Sequence, residues 1–346
     1  MMKKNLLSLR PLARHLAAMA LLLLAFTACH KDEPVKKDPV IYVCGYQGSP
    51  GGSEEATVWK NGIATTLPDA KEGEARALFI SGTDVYVAGT GQDDFNNRTA
   101  KYWKNGTVVN LPGSIHAFTN AIYVSGNDVY VAGEEDANAR YWKNGTAVSL
   151  AMPDGTKSSS LNAIWVSGND VYVAGKTVNS SGYQVCTYWK NGVPTTLSDG
   201  TNHAQATALA VIGTDVYVAG YSITNEGKWV GQYWKNGTVH ELSDGTSWSV
   251  VNALYVSGND VYVAGREAKG PGTNYAAKYW KNGTGIDLTD ASQYADAHGI
   301  FVVDGDVYVG GTEGDLVKYW KNGKATTLTP QDGVTYGEGR AIFIGQ

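Results

Sequence analysis

The sequence predicts an all-β ring of seven four-stranded antiparallel blades, and three observations predict it. A five-residue pattern (an aromatic residue or Val, then Trp-Lys-Asn-Gly) recurs seven times, at Val58–Gly62, Tyr102–Gly106, Tyr141–Gly145, Tyr188–Gly192, Tyr233–Gly237, Tyr279–Gly283 and Tyr319–Gly323. Its Trp-to-Trp spacings are 44, 39, 47, 45, 46 and 40, a period that signals repeat architecture. Each period holds four short runs rich in β-branched and aromatic residues, and the array begins on a second strand and ends on the lone first strand of the same shared unit.

The chain in order begins with a targeting segment over residues 1–28. Lys3, Lys4, Arg10 and Arg14 form a basic region without an acid, and Leu16–Ala28 is an apolar run too short to span a bilayer. It ends Phe26-Thr27-Ala28-Cys29. This stretch resembles a bacterial lipobox with Phe26 in place of the usual Leu, which implies a lipidated N-terminus at Cys29. Lys31-Asp32-Glu33 just after it resembles the export signal of surface-exposed lipoproteins of Gram-negative bacteria. Residues 29–39, charged and carrying two prolines, read as a tether. The expected location is the outer membrane, held by the lipid anchor alone, with the domain at the cell surface.

The array occupies 40–346, and one unit explains all. Ala121–Val124 is an apolar strand, Ser125-Gly126-Asn127-Asp128 is turn chemistry, and Val129–Gly133 is a second strand. Arg140–Lys143 is a third, Asn144-Gly145 is a tight hairpin because both residues tolerate positive φ, and a fourth strand ends at Leu150. The distance from the first-strand Ala or Gly to the turn Asp is seven residues (121 to 128, for example), and from Trp to the fourth-strand Leu it is always eight. All length variation falls between the second and third strands and between one unit and the next. Four short strands per 40–45 residues is the layout of a β-propeller blade. The array starts on a second strand, Ile41–Gly45, and ends on a lone first strand, Ala341–Ile344, so the termini share a blade and no sheet edge is left open. The period resembles that of the WD40 and kelch families as architecture only. Trp is followed by Lys where WD40 has Asp, and no repeated double Gly occurs. The seven repeat Trp residues are expected to fill the wedges between blades, each worth about 4–6 kcal/mol of burial at most.

Composition narrows the function. Without the first 28 residues, 24 bases face 33 acids, a net charge of −9, which excludes a basic nucleic-acid surface. Cys44 and Cys186 fall in different units and read as buried apolar residues. No Gly-x-Ser-x-Gly, His-Glu-x-x-His, P-loop or EF-hand pattern occurs, so no cofactor and no metal is expected. His116, His203 and His298 fall on alternate units and do not make a metal site. A monomer is expected.

Alternate connections of an antiparallel blade lie on opposite faces of the disc. The invariant hairpins therefore share one face, and the variable connections share the other, where binding is expected. The tether joins the uniform face, and its ten residues reach at most about 33–36 Å, so the variable face should point away from the membrane. The residues just before each first strand, Arg340, Arg76, Asn120, Asn162, Thr207, Asn252 and His298, should ring the mouth of the central channel. His298, Arg340 and Arg76 sit on consecutive blades and form a cationic arc suited to carboxylate or phosphate, beside amides that suit sugar hydroxyls. The plainer reading is that these residues satisfy nearby backbone, with Glu74 and Glu338 neutralising the arginines. Trp229, Trp248, Tyr183 and Tyr275 lie on variable stretches and are candidate ligand-binding aromatics, unless they fold back to pack the loops. Near-identical repeats argue against chemistry, which needs one sharply divergent blade. The expected function is a non-catalytic surface module recognising an extracellular ligand, a glycan before a protein. A protein-interaction scaffold in an envelope complex, or a hydrolase or lyase using Glu74, Glu338 or Glu134 in the funnel, are the alternatives.

Overall fold

The Asn-Gly pairs make the turns their sequence requires. In this computed structural model, which describes residues 38–92, 98–113, 116–243, 245–270 and 274–345, the seven Asn residues from Asn61 to Asn322 have φ of 48–51° and the glycines after them 79–86°. Positive φ at both central residues matches the right-handed twist of the flanking strands, so each pair closes a two-residue hairpin.

Seven four-stranded antiparallel sheets result. The second blade is typical: β4 (Glu74–Ser81), β5 (Asp84–Gln92), β6 (Arg98–Lys104) and β7 (Thr107–Asn110) run from the axis to the rim. The corresponding inner strands of the next five blades are β8 (Ala117–Ser125), β12 (Ser158–Ser167), β16 (Ala204–Ile212), β20 (Ser249–Ser257) and β24 (Ala295–Val303). The first blade is built from both ends of the array, with β28 (Tyr336–Gly345) paired to β1 (Val40–Gly48), then β2 (Glu55–Lys60) and β3 (Ile63–Lys71). Each inner strand packs on the next, and β28 packs on β4, which closes the ring. The leader, Cys29 and nearly all of the tether lie outside the described residues.

The core is divided into seven clusters, one in each wedge between blades. The repeat Trp residues are their largest members and are at most 2% exposed. Each also stitches to the preceding blade where an acceptor is available. The indole N–H groups of Trp59, Trp103, Trp142 and Trp189 donate to the carbonyls of Thr329, Pro68, Pro112 and Ala151 at 2.7–3.2 Å. Cys44 and Cys186 are fully buried in separate sheets, and burial pushes both thiols well above the usual range.

The fourth strands are shorter than expected. β11 (Thr146–Ser149) stops before Leu150, and the same holds in the other blades except the first. The Leu turns inward, buried at Leu111 and Leu150 and half-buried at Leu197 and Leu288, while its backbone N–H still reaches the third strand, as for Leu111 and Leu197 at 3.0 and 2.8 Å.

On the uniform face six blades carry one clasp. In the second, Asn105 donates to Asp84, accepts from the N–H of Val85, and Lys104 pairs with Asp84 over the ring of Tyr86. The first blade has Val40 in place of the Asp, because the seam between β28 and β1 replaces that hairpin.

Candidate ligand-binding site

Each of the seven mouth residues is the extra residue of a β-bulge. The pairing of inner and second strands skips Arg76, Asn120, Asn162, Thr207, Asn252, His298 and Arg340, and no other residue of those strands. A bulge twists the strand locally and re-aims one side chain, here around the channel on the variable face. The repeated second-strand glycine is what permits it. A Cβ on Gly45, Gly89, Gly133, Gly175, Gly220, Gly265 or Gly311 would lie 1.8–2.1 Å from a carbonyl oxygen of the bulged strand. The seven residues line one cavity of about 750 Å³.

The ring has two chemically different halves. On one, each side chain reaches the next blade: Asn120 donates to the Leu161 carbonyl (2.8 Å), Asn162 to Ala206 (2.7 Å), Thr207 to Val251 (2.9 Å) and Asn252 to Ala297 (3.0 Å). These donors clasp the blades together. The Oδ1 atoms of Asn162 and Asn252 accept no hydrogen bond among the described residues, and both residues line the cavity.

The other half is a chain of alternating charge. Arg76 Nε meets Glu74 at 3.1 Å, and its Nη1 donates to Asn120 Oδ1 at 2.7 Å. Arg340 lies 3.8 Å from Glu74 and 3.0 Å from Glu338, which is 2.8 Å from His298 Nε2. His298 is 3.6 Å from Asp296, which pairs with Arg266. Burial alone would raise the Glu338 carboxyl. The hydrogen bond and charge of His298, the Arg340 guanidinium and the Tyr46 hydroxyl, which donates at 2.8 Å, together hold it down at about 2. The expected cationic arc is therefore a balanced array, with Glu74 and Glu338 between the bases. Glu134 stands apart from both: burial raises its carboxyl, against the pull of Lys176 and Arg76.

Below the mouth lies a second ring that sequence reasoning passed over. Three residues beyond each mouth residue stand Phe79, Tyr123, Trp165, Ala210, Tyr255, Phe301 and Phe343. Neighbouring rings contact at 4.7–5.5 Å in tilted pairs, from Trp165 through Tyr123, Phe79, Phe343 and Phe301 to Tyr255. The six form a horseshoe at the floor of the cavity, interrupted at Ala210 of the fifth blade. The signal was a fixed offset in the first strands, legible once the bulge residue is taken as the origin.

The four loop aromatics stand at the variable face, outside the cavity. Trp229 stacks on Tyr221 at 4.9 Å with ring planes 8° apart. Tyr275 and Tyr294 flank the Arg266 guanidinium at 5.2 and 5.7 Å. Trp248 is 46% exposed and Tyr294 45%. Tyr183 is 38% exposed and leans on His203 at 5.3 Å. Arg266 and Tyr294 were not singled out from the sequence. Their role depends on Asp296, which is 1% exposed, orients Arg266, and also accepts from Asn252 at 2.8 Å and from the Tyr294 hydroxyl at 3.5 Å.

No family model matches this sequence, and no curated protein matches it. Among solved structures, the β-propeller domain of the Trilobed protease from Pyrococcus furiosus, described as having an open velcro topology, is similar with a TM-score of 0.53 at 10% identity. That match covers 86% of this chain and 95% of that one. The uncomplexed acylaminoacyl peptidase of Pyrococcus horikoshii is similar with a TM-score of 0.50 at 14% identity, over 86% of this chain and 52% of that one. At these identities the likeness establishes the fold: this chain is a β-propeller, with seven blades closed by β28 and β1.

Proposed function

We propose that the chain is a non-catalytic surface module that binds an extracellular glycan on its variable face, held at the outer membrane by a lipid on Cys29. The observation that carries this reading is the band of aromatic and planar groups at the funnel rim. The Tyr221–Trp229 stack and Arg266 between Tyr275 and Tyr294 stand on adjacent blades, and Arg266 acts electrostatically on Tyr221. Rings of this kind offer flat apolar area with little loss of side-chain freedom, and the neighbouring amides supply hydrogen bonds for hydroxyls. A hydrolytic site is not favoured, because Glu338 is held far below the pKa of a useful general acid and Glu74 is tied to Arg76.

The test is binding of the full chain, purified in mild detergent, to neutral and acidic polysaccharides at low and high salt. Binding that falls on Trp229→Ala or Tyr294→Ala supports the reading. Absence of binding to every polysaccharide, together with stable co-purification of an envelope protein, replaces it with an interaction scaffold, for which exposed Trp248 is the first contact to probe.

A further inference from the structure

The funnel and the rim share the fifth blade. The collar is interrupted only on the fifth blade, at Ala210, and the fifth blade is the one that carries the Tyr221–Trp229 stack. Thr207, the smallest side chain of the mouth ring, lies between them on the same strand, and Tyr221 pairs with Gln205 two residues further toward the rim. A ligand entering the cavity thus meets an apolar floor and a polar ring, and the stacked rings stand on the blade where the collar lacks an aromatic.

The polar ring also discriminates by charge. Arg266, Arg340 and Arg76 are matched by Asp296, Glu338 and Glu74, with His298 set between two of the acids. Each arginine of the array already has a carboxylate partner. An added carboxylate or sulfate would have to compete with a carboxylate already placed on each arginine. A neutral ring of hydroxyls has no such competitor, and it can donate to the Asn162 and Asn252 Oδ1 atoms. The volume of about 750 Å³ lies within the range of small-ligand pockets and is lined mainly by apolar and aromatic side chains with a few polar groups.

From this geometry we propose that the central funnel is an end-binding subsite: it takes the uncharged terminus of a glycan chain. The terminal sugar sits on the aromatic horseshoe, its hydroxyls on the mouth ring, and the chain leaves over Thr207 toward Tyr221 and Trp229. The inference rests on the glycan reading above and adds which part of the chain is held and what charge it bears.

The experiment uses the full chain in mild detergent and linear neutral hexaoses of glucose, mannose, galactose and xylose. Each is offered beside its polymer and beside a hexaose ending in a uronic acid. The expected result is that a bound hexaose matches its polymer when affinity is expressed per chain end, and that the terminal uronic acid weakens binding at least tenfold. Trp165→Ala and Phe343→Leu should each weaken the hexaose at least tenfold. Both side chains are only partly buried, and an unchanged melting transition identifies the variants that report on binding. A tryptophan fluorescence change on hexaose binding that disappears in Trp165→Phe gives a readout from a near-isosteric variant. Polymer binding that scales with mass, survives the collar substitutions and is lost on Trp229→Ala would overturn the end-binding subsite and leave the glycan reading standing. Failure of every hexaose and polymer to bind overturns both.

Discussion

Two of the seven repeat tryptophans should respond differently to the same substitution. Trp103 and Trp320 are both fully buried in equivalent wedges, so replacing either by Phe removes similar apolar area, about 1 kcal/mol. Their indole N–H groups differ. Trp103 donates to the Pro68 carbonyl at 2.7 Å, whereas Trp320 Nε1 is buried with no partner among the described residues. The residue after the recurring Leu of the preceding blade is held differently in the two wedges. After Leu67 it is Pro68, whose carbonyl faces the indole. After Leu288 it is Thr289, whose hydroxyl instead accepts the Ala277 N–H at 3.0 Å. Trp103→Phe should lose a made hydrogen bond and strip a carbonyl of its donor, whereas Trp320→Phe removes a buried donor that already costs about 1–3 kcal/mol. The expected gap is about 3 kcal/mol, with Trp103→Phe the more damaging. Guanidinium unfolding followed by circular dichroism, with midpoints compared at a common slope, measures it. Losses equal to within about 1 kcal/mol, or a larger loss for Trp320→Phe, would refute the reasoning.

Further outcomes follow from the site and the core. Arg266→Met strands Asp296, which is 1% exposed, and should cost about 3–5 kcal/mol, recovered in large part by Asp296→Asn in the same chain. Glu338 titrates at about 2 when folded against an ordinary value of 4.5, so its contribution of about 3 kcal/mol is present above pH 4.5 and is lost as pH falls toward 2. Glu338→Gln should flatten acid-unfolding curves in that window, and an unchanged curve would show the network contributes nothing. Gly133→Ala would place a Cβ 1.8 Å from the Phe118 carbonyl, so it should remove the bulge at Asn120 and lower the melting temperature, which calorimetry reads. Cys44 and Cys186, both 0% exposed, should react with thiol reagents only after denaturation, and fast labelling of the native chain would contradict their burial.

What the sequence determined by itself is the scaffold. Local chemistry sets it: Asn-Gly at positive φ closes one hairpin, Trp fills the wedge, and constant spacings, of eight in every unit and of seven in all but the shared one, place strands and core in register. The closure was equally legible, because an array that begins on a second strand and ends on a first has one way to complete its last sheet. The residues of the funnel mouth could also be named, since each stands directly before the first-strand Ala or Gly, although the strand itself begins earlier. What they do could not. Whether Arg76, His298 and Arg340 form a block of positive charge or a balanced chain depends on where Glu74, Glu338 and Asp296 fall across three blades. Those partners come together only through the ring, as in the contact between Arg340 and Glu74 at opposite ends of the chain. The bulges, the aromatic collar and its break at Ala210 are likewise properties of seven strands meeting at an axis. A period of 39–47 residues encodes one blade at a time, and the site exists only where all seven converge.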